Sequence, residues 1–267
     1  MNSYSQEETN AFKLKGVIEL GASGFNSFII SMDKEKNWKL IKSQYGKSYT
    51  LDGIATTYTT KVGLKNYMND LKEDGVADED IHFVVSSGAY QQEITGPIIN
   101  NLKEMDFRVN IVDSEEEGQL AFKSVVPDSQ RNSTMMIDVG SSNTKISWTS
   151  EGKIVSISTY GSRFFKSDEA DSIVLKNLKK TAAKIPESKT ETVYLIGGMP
   201  YKYAKQTRQG NERYTKLRQI ETYTPQSEKE RCGSIILKEL RDTAGIQEYI
   251  FDWDSNFSIG FLLELPF

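Results

Sequence analysis

Two short segments carry the residue types that phosphate chemistry needs. Gly16-Val17-Ile18-Glu19-Leu20-Gly21-Ala22-Ser23-Gly24 and Met135-Met136-Ile137-Asp138-Val139-Gly140-Ser141-Ser142-Asn143-Thr144 each run from an apolar strand through an acidic residue into a glycine-containing turn, and each continues into a second strand. Glycine lets the backbone turn sharply and approach an anion closely, small hydroxyl and amide side chains add donors, and a carboxylate at a strand end can hold a divalent cation or its water. Two such turns facing each other can clamp a phosphate. A third acidic feature is the helix start Ser114-Glu115-Glu116-Glu117-Gly118, with Ser114 at the N-cap and Glu117 at the capping-box position. A carboxylate there either caps its own helix or orients a water.

The elements that must position these residues follow a repeated order. The pattern predicts strands at about 15–21 and 25–32, a third near 38–42, a helix with Leu64, Tyr67, Met68 and Leu71 on one face stopped by Gly75, a strand at 83–86, a helix at 98–105 with Pro97 near its start, and a strand at 109–112. After a loop at 127–133 the order begins again: strands at 135–139, 144–150 and 154–158, a helix over 167–183 and a strand at 193–196. A three-strand meander followed by helix and strand, occurring twice, implies two α/β domains with a cleft between them. The division is residues 1–13 as a polar, disordered tail, 14–128 as the first domain and 129–267 as the second. Helical spacing through Ile235, Ile236 and Leu240, and an apolar stretch over 257–265, predict elements that close the second half.

Composition removes several classes of chemistry. The chain has one histidine, His82, inside an apolar strand, and one cysteine, Cys232, so no His-based triad, zinc cluster or intrachain disulfide is available. Any metal must take oxygen ligands, which suits magnesium or manganese. The 267 residues carry 33 Lys and Arg against 37 Asp and Glu, a net charge of −4 that argues against a general or sequence-specific nucleic-acid binder. Lys202, Lys205, Arg208, Arg213, Lys216 and Arg218 form a basic stretch that either meets a polyanion or is a solvated face. No apolar run reaches the roughly 18 residues of a membrane span and no signal-peptide core is present, so the expected location is the cytoplasm.

The duplicated units resemble the actin and sugar-kinase superfamily, and in detail its exopolyphosphatase/guanosine pentaphosphate phosphatase (Ppx/GppA) branch. Segment 17–21 stands where that branch has its first Asp-x-Gly-Ser-Asn-Ser loop. Val84-Val85-Ser86-Ser87-Gly88-Ala89 is similar to its Ala-Thr-Ser-Ala segment, and Asp113-Ser114-Glu115-Glu116-Glu117-Gly118-Gln119-Leu120 to its Ser-Gly-x-Glu-Glu-Ala-Arg-Leu helix start. Segment 137–140 is similar to the second loop, and 259–264 to the branch's Glu-Gly-Leu-Leu close. The resemblance implies two ribonuclease-H-like, actin-like ATPase domains around a central cleft and hydrolysis of a terminal phosphoryl group from polyphosphate or a guanosine polyphosphate, with Mg2+ or Mn2+. It implies Glu117 as general base, Glu19 and Asp138 as metal ligands, and phosphate contacts from Gly21, Ala22, Ser23, Ser86, Gly140, Ser141, Ser142, Asn143, Thr144, Gly197 and Gly198. A homodimer is an allowed assembly.

The departures weigh against simple transfer of the reaction. Glu19 is one methylene longer than the branch's aspartate, Ala22, Ser23 and Gly24 replace Ser-Asn-Ser, and Tyr90 replaces an arginine that would grip phosphate bidentately. The second loop reads Ser141-Ser142-Asn143-Thr144-Lys145 in place of Gly-Gly-Gly-Ser-Thr-Glu, exchanging an acid for Lys145, whose place at a strand start predicts surface exposure. The rival readings are a degenerate protein that binds a nucleotide or alarmone without turnover, and a sugar-kinase-like or filament-forming actin-like ATPase.

Overall fold

The first acidic segment becomes β1 (Lys13–Gly21), whose Val17, Ile18 and Leu20 are all buried. A strand covered on both faces needs an unbroken apolar run rather than alternation, and that is what the sequence supplies. The computed structural model, which describes residues 12–21, 24–46, 57–93, 95–167 and 169–267, pairs β1 antiparallel with β2 (Gly24–Met32) and β2 with β3 (Trp38–Tyr45). β4 (Ile81–Val85) and β5 (Val109–Ile111) then add in parallel, giving the order β3-β2-β1-β4-β5. β1 takes in Lys13, the last residue of the segment expected to be a tail; residues 1–11 lie outside the described ones.

The second half repeats this layout. β6 (Met135–Val139), β7 (Asn143–Ser150) and β8 (Lys153–Tyr160) form the meander, and β9 (Thr192–Ile196), β10 (Tyr214–Lys216) and β11 (Glu248–Asp252) complete a sheet of order β10-β11-β9-β6-β7-β8. Removing the edge strand β10 leaves β11-β9-β6-β7-β8, the same connectivity as the first sheet read from its other edge. The predicted duplication is therefore present strand for strand.

Helices fill three layers. On the outer face of the first sheet, α1 (Thr57–Glu73) and, after β4 and the single-turn α2 (Ser87–Tyr90), α3 (Thr95–Glu104) bury Leu64, Leu71, Ile98 and Leu102 against Ile18, Leu20 and Ile29. After α4 (Ser114–Val125), α5 (Asp171–Ala182), α6 (Gly198–Ala204) and α7 (Glu228–Ala244) cover the second sheet with Val174, Leu178, Ile236, Leu237 and Leu240. Between the sheets lie α4 and the last helix, α8 (Phe257–Glu264).

These two central helices are exchanged. α4 follows the first sheet in sequence but packs on β6, β7 and β8, whereas α8 follows the second sheet and packs on β1 and β2. They also pack on each other, so closely that a Cβ at Gly260 would fall on the carbonyl oxygen of Leu120. Phe257, Ile259 and Leu262 of α8 are buried in the shared core, each worth about 1.5–3 kcal/mol. The loop near residue 128 separates the two halves in sequence, while α4 and α8 cross between them in space.

Candidate functional site

The hairpin β6–β7 places Lys145 directly opposite Asp138, and residues opposite each other on paired strands share one face. The start of α4 then lowers Glu117 onto that face. Asp113, not Ser114, caps this helix, its side chain accepting from the Glu116 backbone N–H at 2.8 Å. Glu117 is thereby released from capping, and the Ser114 hydroxyl instead accepts from the Asn143 side-chain amide at 3.1 Å. The Glu117 carboxylate accepts from the Ser87 backbone N–H at 2.9 Å and the Ser87 hydroxyl at 2.6 Å through one oxygen, and from the Lys145 ammonium at 2.5 Å through the other. Lys145 Nζ also stands 3.6 Å from Asp138 Oδ2. Lys145 and Glu117 are each only 3 % exposed, which corrects the expectation of a surface lysine.

The exchanged helix α8 performs the matching service for the first hairpin. Asn256 caps it, and the Ser258 hydroxyl donates to Glu19 Oε2 at 2.7 Å while the Asn26 amide approaches Glu19 Oε1 at 3.4 Å. Burial pushes the Glu19 carboxyl up to about 7 despite the Ser258 hydrogen bond, with Glu117 and Asp138 adding to the rise. Burial also raises Asp138, opposed by Lys145. For Lys145 burial pulls downward, but Asp138 and Glu117 outweigh it and hold the ammonium above the usual lysine range.

These groups line the floor of a cleft of about 770 Å3 between the two sheets. Of the predicted residues, Glu19, Gly21, Ser86, Glu117, Asp138, Gly140, Ser141, Ser142, Asn143, Gly197 and Gly198 all face it. Thr144 does not; it is fully buried, its hydroxyl without a hydrogen-bond partner among the described residues. Ala22 and Ser23 lie outside the described residues. Ser86 caps α2 through the Ala89 N–H. Gly197 sits at φ +106°, and a Cβ there would come within 2.5 Å of the Val139 carbonyl oxygen, so this turn can approach β6 only as glycine. Tyr90, at the end of α2, is exposed and does not line the cleft.

One member of the basic stretch, Arg208, lines the cleft beside residues that had no local signal. Tyr201, Arg208 and Trp253 form one wall, the Arg208 guanidinium lying 4.0 Å over the indole ring. Lys229 joins them, its ammonium held below the usual lysine range by burial and by Arg163 and Lys202. Most of the remaining basic stretch is neutralised internally: Lys202 pairs with Glu230, Arg213 with Asp252 and Lys216 with Glu248. Its acids come from elsewhere in the chain, which is why it looked unbalanced in sequence. His82 meets Phe261 edge-on away from the cleft.

Magnesium is ordinarily held by one or two carboxylates together with waters and substrate phosphate oxygens, so the question is whether Glu117 and Asp138 are open to it. Magnesium requires near-octahedral oxygen ligation at about 2.0–2.1 Å. Among the described residues no group of three or more His, Cys, Asp or Glu side chains is placed to hold a metal ion, and Glu117 and Asp138 both face the Lys145 ammonium rather than an open site. No helix among the described residues is long and apolar enough to cross a membrane.

Solved structures share this architecture. The Aquifex aeolicus PPX-GPPA enzyme superposes with a TM-score of 0.72 at 16% identity, covering 96% of this chain and 100% of that one. An exopolyphosphatase from Cytophaga hutchinsonii gives 0.71 at 14% identity, covering 94% and 96%, and an exopolyphosphatase-like protein gives 0.72 at 11%, covering 95% and 97%. No protein-family model and no curated protein matches the sequence. The chain therefore shares the fold of these Ppx/GppA structures, two α/β halves about a central cleft, as the duplicated hairpins implied.

Proposed function

We propose that this cleft binds a condensed phosphate, either polyphosphate or a guanosine polyphosphate, and hydrolyses its terminal phosphoanhydride. The observation that supports the reading best is the convergence of Glu117, Lys145 and Asp138 on the cleft floor where the two glycine hairpins face each other. Likeness in fold to structures named as a PPX-GPPA enzyme and an exopolyphosphatase points the same way.

In this mechanism an arriving phosphoryl group draws the Lys145 ammonium onto its oxygens and frees Glu117 Oε1, while Ser87 keeps the other carboxylate oxygen fixed. Glu117 then accepts a proton from a water. The water oxygen bonds to the terminal phosphorus, the bridging P–O bond breaks, and the shortened chain leaves with the bridging oxygen. Lys145 and backbone N–H groups of the Gly140 turn spread the charge that develops on the transferring group.

Glu117→Gln tests it. The amide keeps the shape and the Ser87 contact but cannot take the proton, so phosphate release from tripolyphosphate or guanosine pentaphosphate should fall by about 10² to 10⁴ while the circular-dichroism melt persists. Unchanged turnover in the variant would remove Glu117 from the reaction. A second reading, binding without turnover, is favoured by the ion pair that occupies Glu117. Tight binding of either ligand with no phosphate release by the unmodified protein would select it.

A further inference from the structure

We propose that the Lys145 ammonium is a tethered counter-cation standing where a phosphoanhydride site holds a divalent metal ion, so that the cleft takes its anion without one. Only the identity of the anion rests on the function proposed above; the cation assignment rests on geometry. Lys145 Nζ contacts the carboxylates of Glu117, at 2.5 Å, and Asp138, at 3.6 Å. Those side chains belong to two different elements, α4 and β6, and a positive charge is what lets them approach in a buried floor. A bound metal ion would play that bridging role. Here the bridge is covalent, because the hairpin register fixes Lys145 opposite Asp138.

The chemistry of the ammonium fits the position. It has three N–H donors, one of which Glu117 accepts, while Asp138 at 3.6 Å is an ion-pair contact longer than a hydrogen bond, so the ammonium keeps donor capacity for a phosphoryl oxygen. A dication brought to the same carboxylates would lie within a few ångströms of a buried positive charge, with little water to screen the repulsion. Glu19 lies on the other hairpin, where Ser258 donates to one of its oxygens and Asn26 approaches the other, and neither salt-bridge contact of Lys145 reaches it. Exchanging the lysine for an acid reverses the arithmetic: the two carboxylates that one ammonium contacts become three with no ammonium between them.

The test reads metal binding directly, using Mn2+ as an electron paramagnetic resonance probe on the full chain, with tripolyphosphate binding followed by calorimetry. The unmodified protein should take up no stoichiometric Mn2+, and its tripolyphosphate affinity should change less than about threefold between EDTA and Mg2+. Lys145→Glu should gain one Mn2+ site and melt higher with the metal than without it. Lys145→Met keeps the apolar stem and drops the charge; it should lose at least about tenfold in tripolyphosphate affinity in EDTA and recover part of it in Mg2+. One Mn2+ bound by the unmodified protein with an affinity that neither substitution alters would overturn the assignment. Absence of tripolyphosphate binding in every condition, with the Mn2+ pattern as expected, would instead uphold the tethered cation and overturn the phosphoanhydride reading.

Discussion

Glu19→Gln should stabilise the protein at alkaline pH and do much less under mild acid. Glu19 is 8 % exposed, and burial together with Glu117 and Asp138 pushes its carboxyl from 4.5 up to about 7. A group whose pKa rises on folding binds its proton more tightly in the native state, so its contribution is fully present below the unfolded value of about 4.5 and is lost as pH climbs through about 7. At about 1.4 kcal/mol per pKa unit the full loss is about 3 kcal/mol, most of it falling between about pH 5 and about pH 8. Glutamine cannot ionise, fills the same volume, and its carbonyl oxygen can accept from Ser258 or Asn26. Urea denaturation at the two pH values should therefore show the variant gaining about 2–3 kcal/mol on the parent between them. A parallel pH dependence of the two proteins would refute the claim that Glu19 is held neutral by burial.

Two further expectations concern the framework. Gly260→Ala places a methyl group on the Leu120 carbonyl oxygen, and because backbone rather than a flexible side chain is in the way, α4 and α8 must separate; we expect a loss of about 1–3 kcal/mol or more in urea denaturation, together with weaker tripolyphosphate binding because Glu117 rides on α4. Arg213→Met strands the fully buried Asp252 carboxylate, which Arg213 engages at 3.1 and 2.9 Å, and should cost about 3–5 kcal/mol at neutral pH.

Much of the framework was readable because its signals are local. β1 and β6 are central strands, so their apolar runs and the glycines at their ends, Gly21 and Gly140, are continuous in sequence, and the matching order of elements exposed the duplication. What failed to show was set by contacts distant in sequence. Ser114 has the chemistry of a cap, but Asn143 engages its hydroxyl and Asp113 takes the cap, which is how Glu117 becomes available to the cleft. Lys145 sits in a strand's opening residues, where lysine is ordinarily solvated; only the hairpin register turns it toward Asp138. Trp253 and Asn256 line the cleft, and Ser258 reaches Glu19, from the far end of the chain, and the short α2, α6 and β10 have too few residues for a periodic signal.

The exchange of α4 and α8 has a consequence for biosynthesis. Ser258, which satisfies Glu19 on the first strand, lies 239 positions downstream of it. At about 5–20 residues per second on the ribosome, the interval between the two is on the order of tens of seconds. In the part of that time after β5 has been made, the first sheet is complete in its strands yet lacks the helix that covers its inner face, while Leu120 and Phe122 of α4 wait for strands not yet made. The nascent first half is thus an obligate client of its own C-terminal end, and its exposure to aggregation is set by translation speed as much as by thermodynamics.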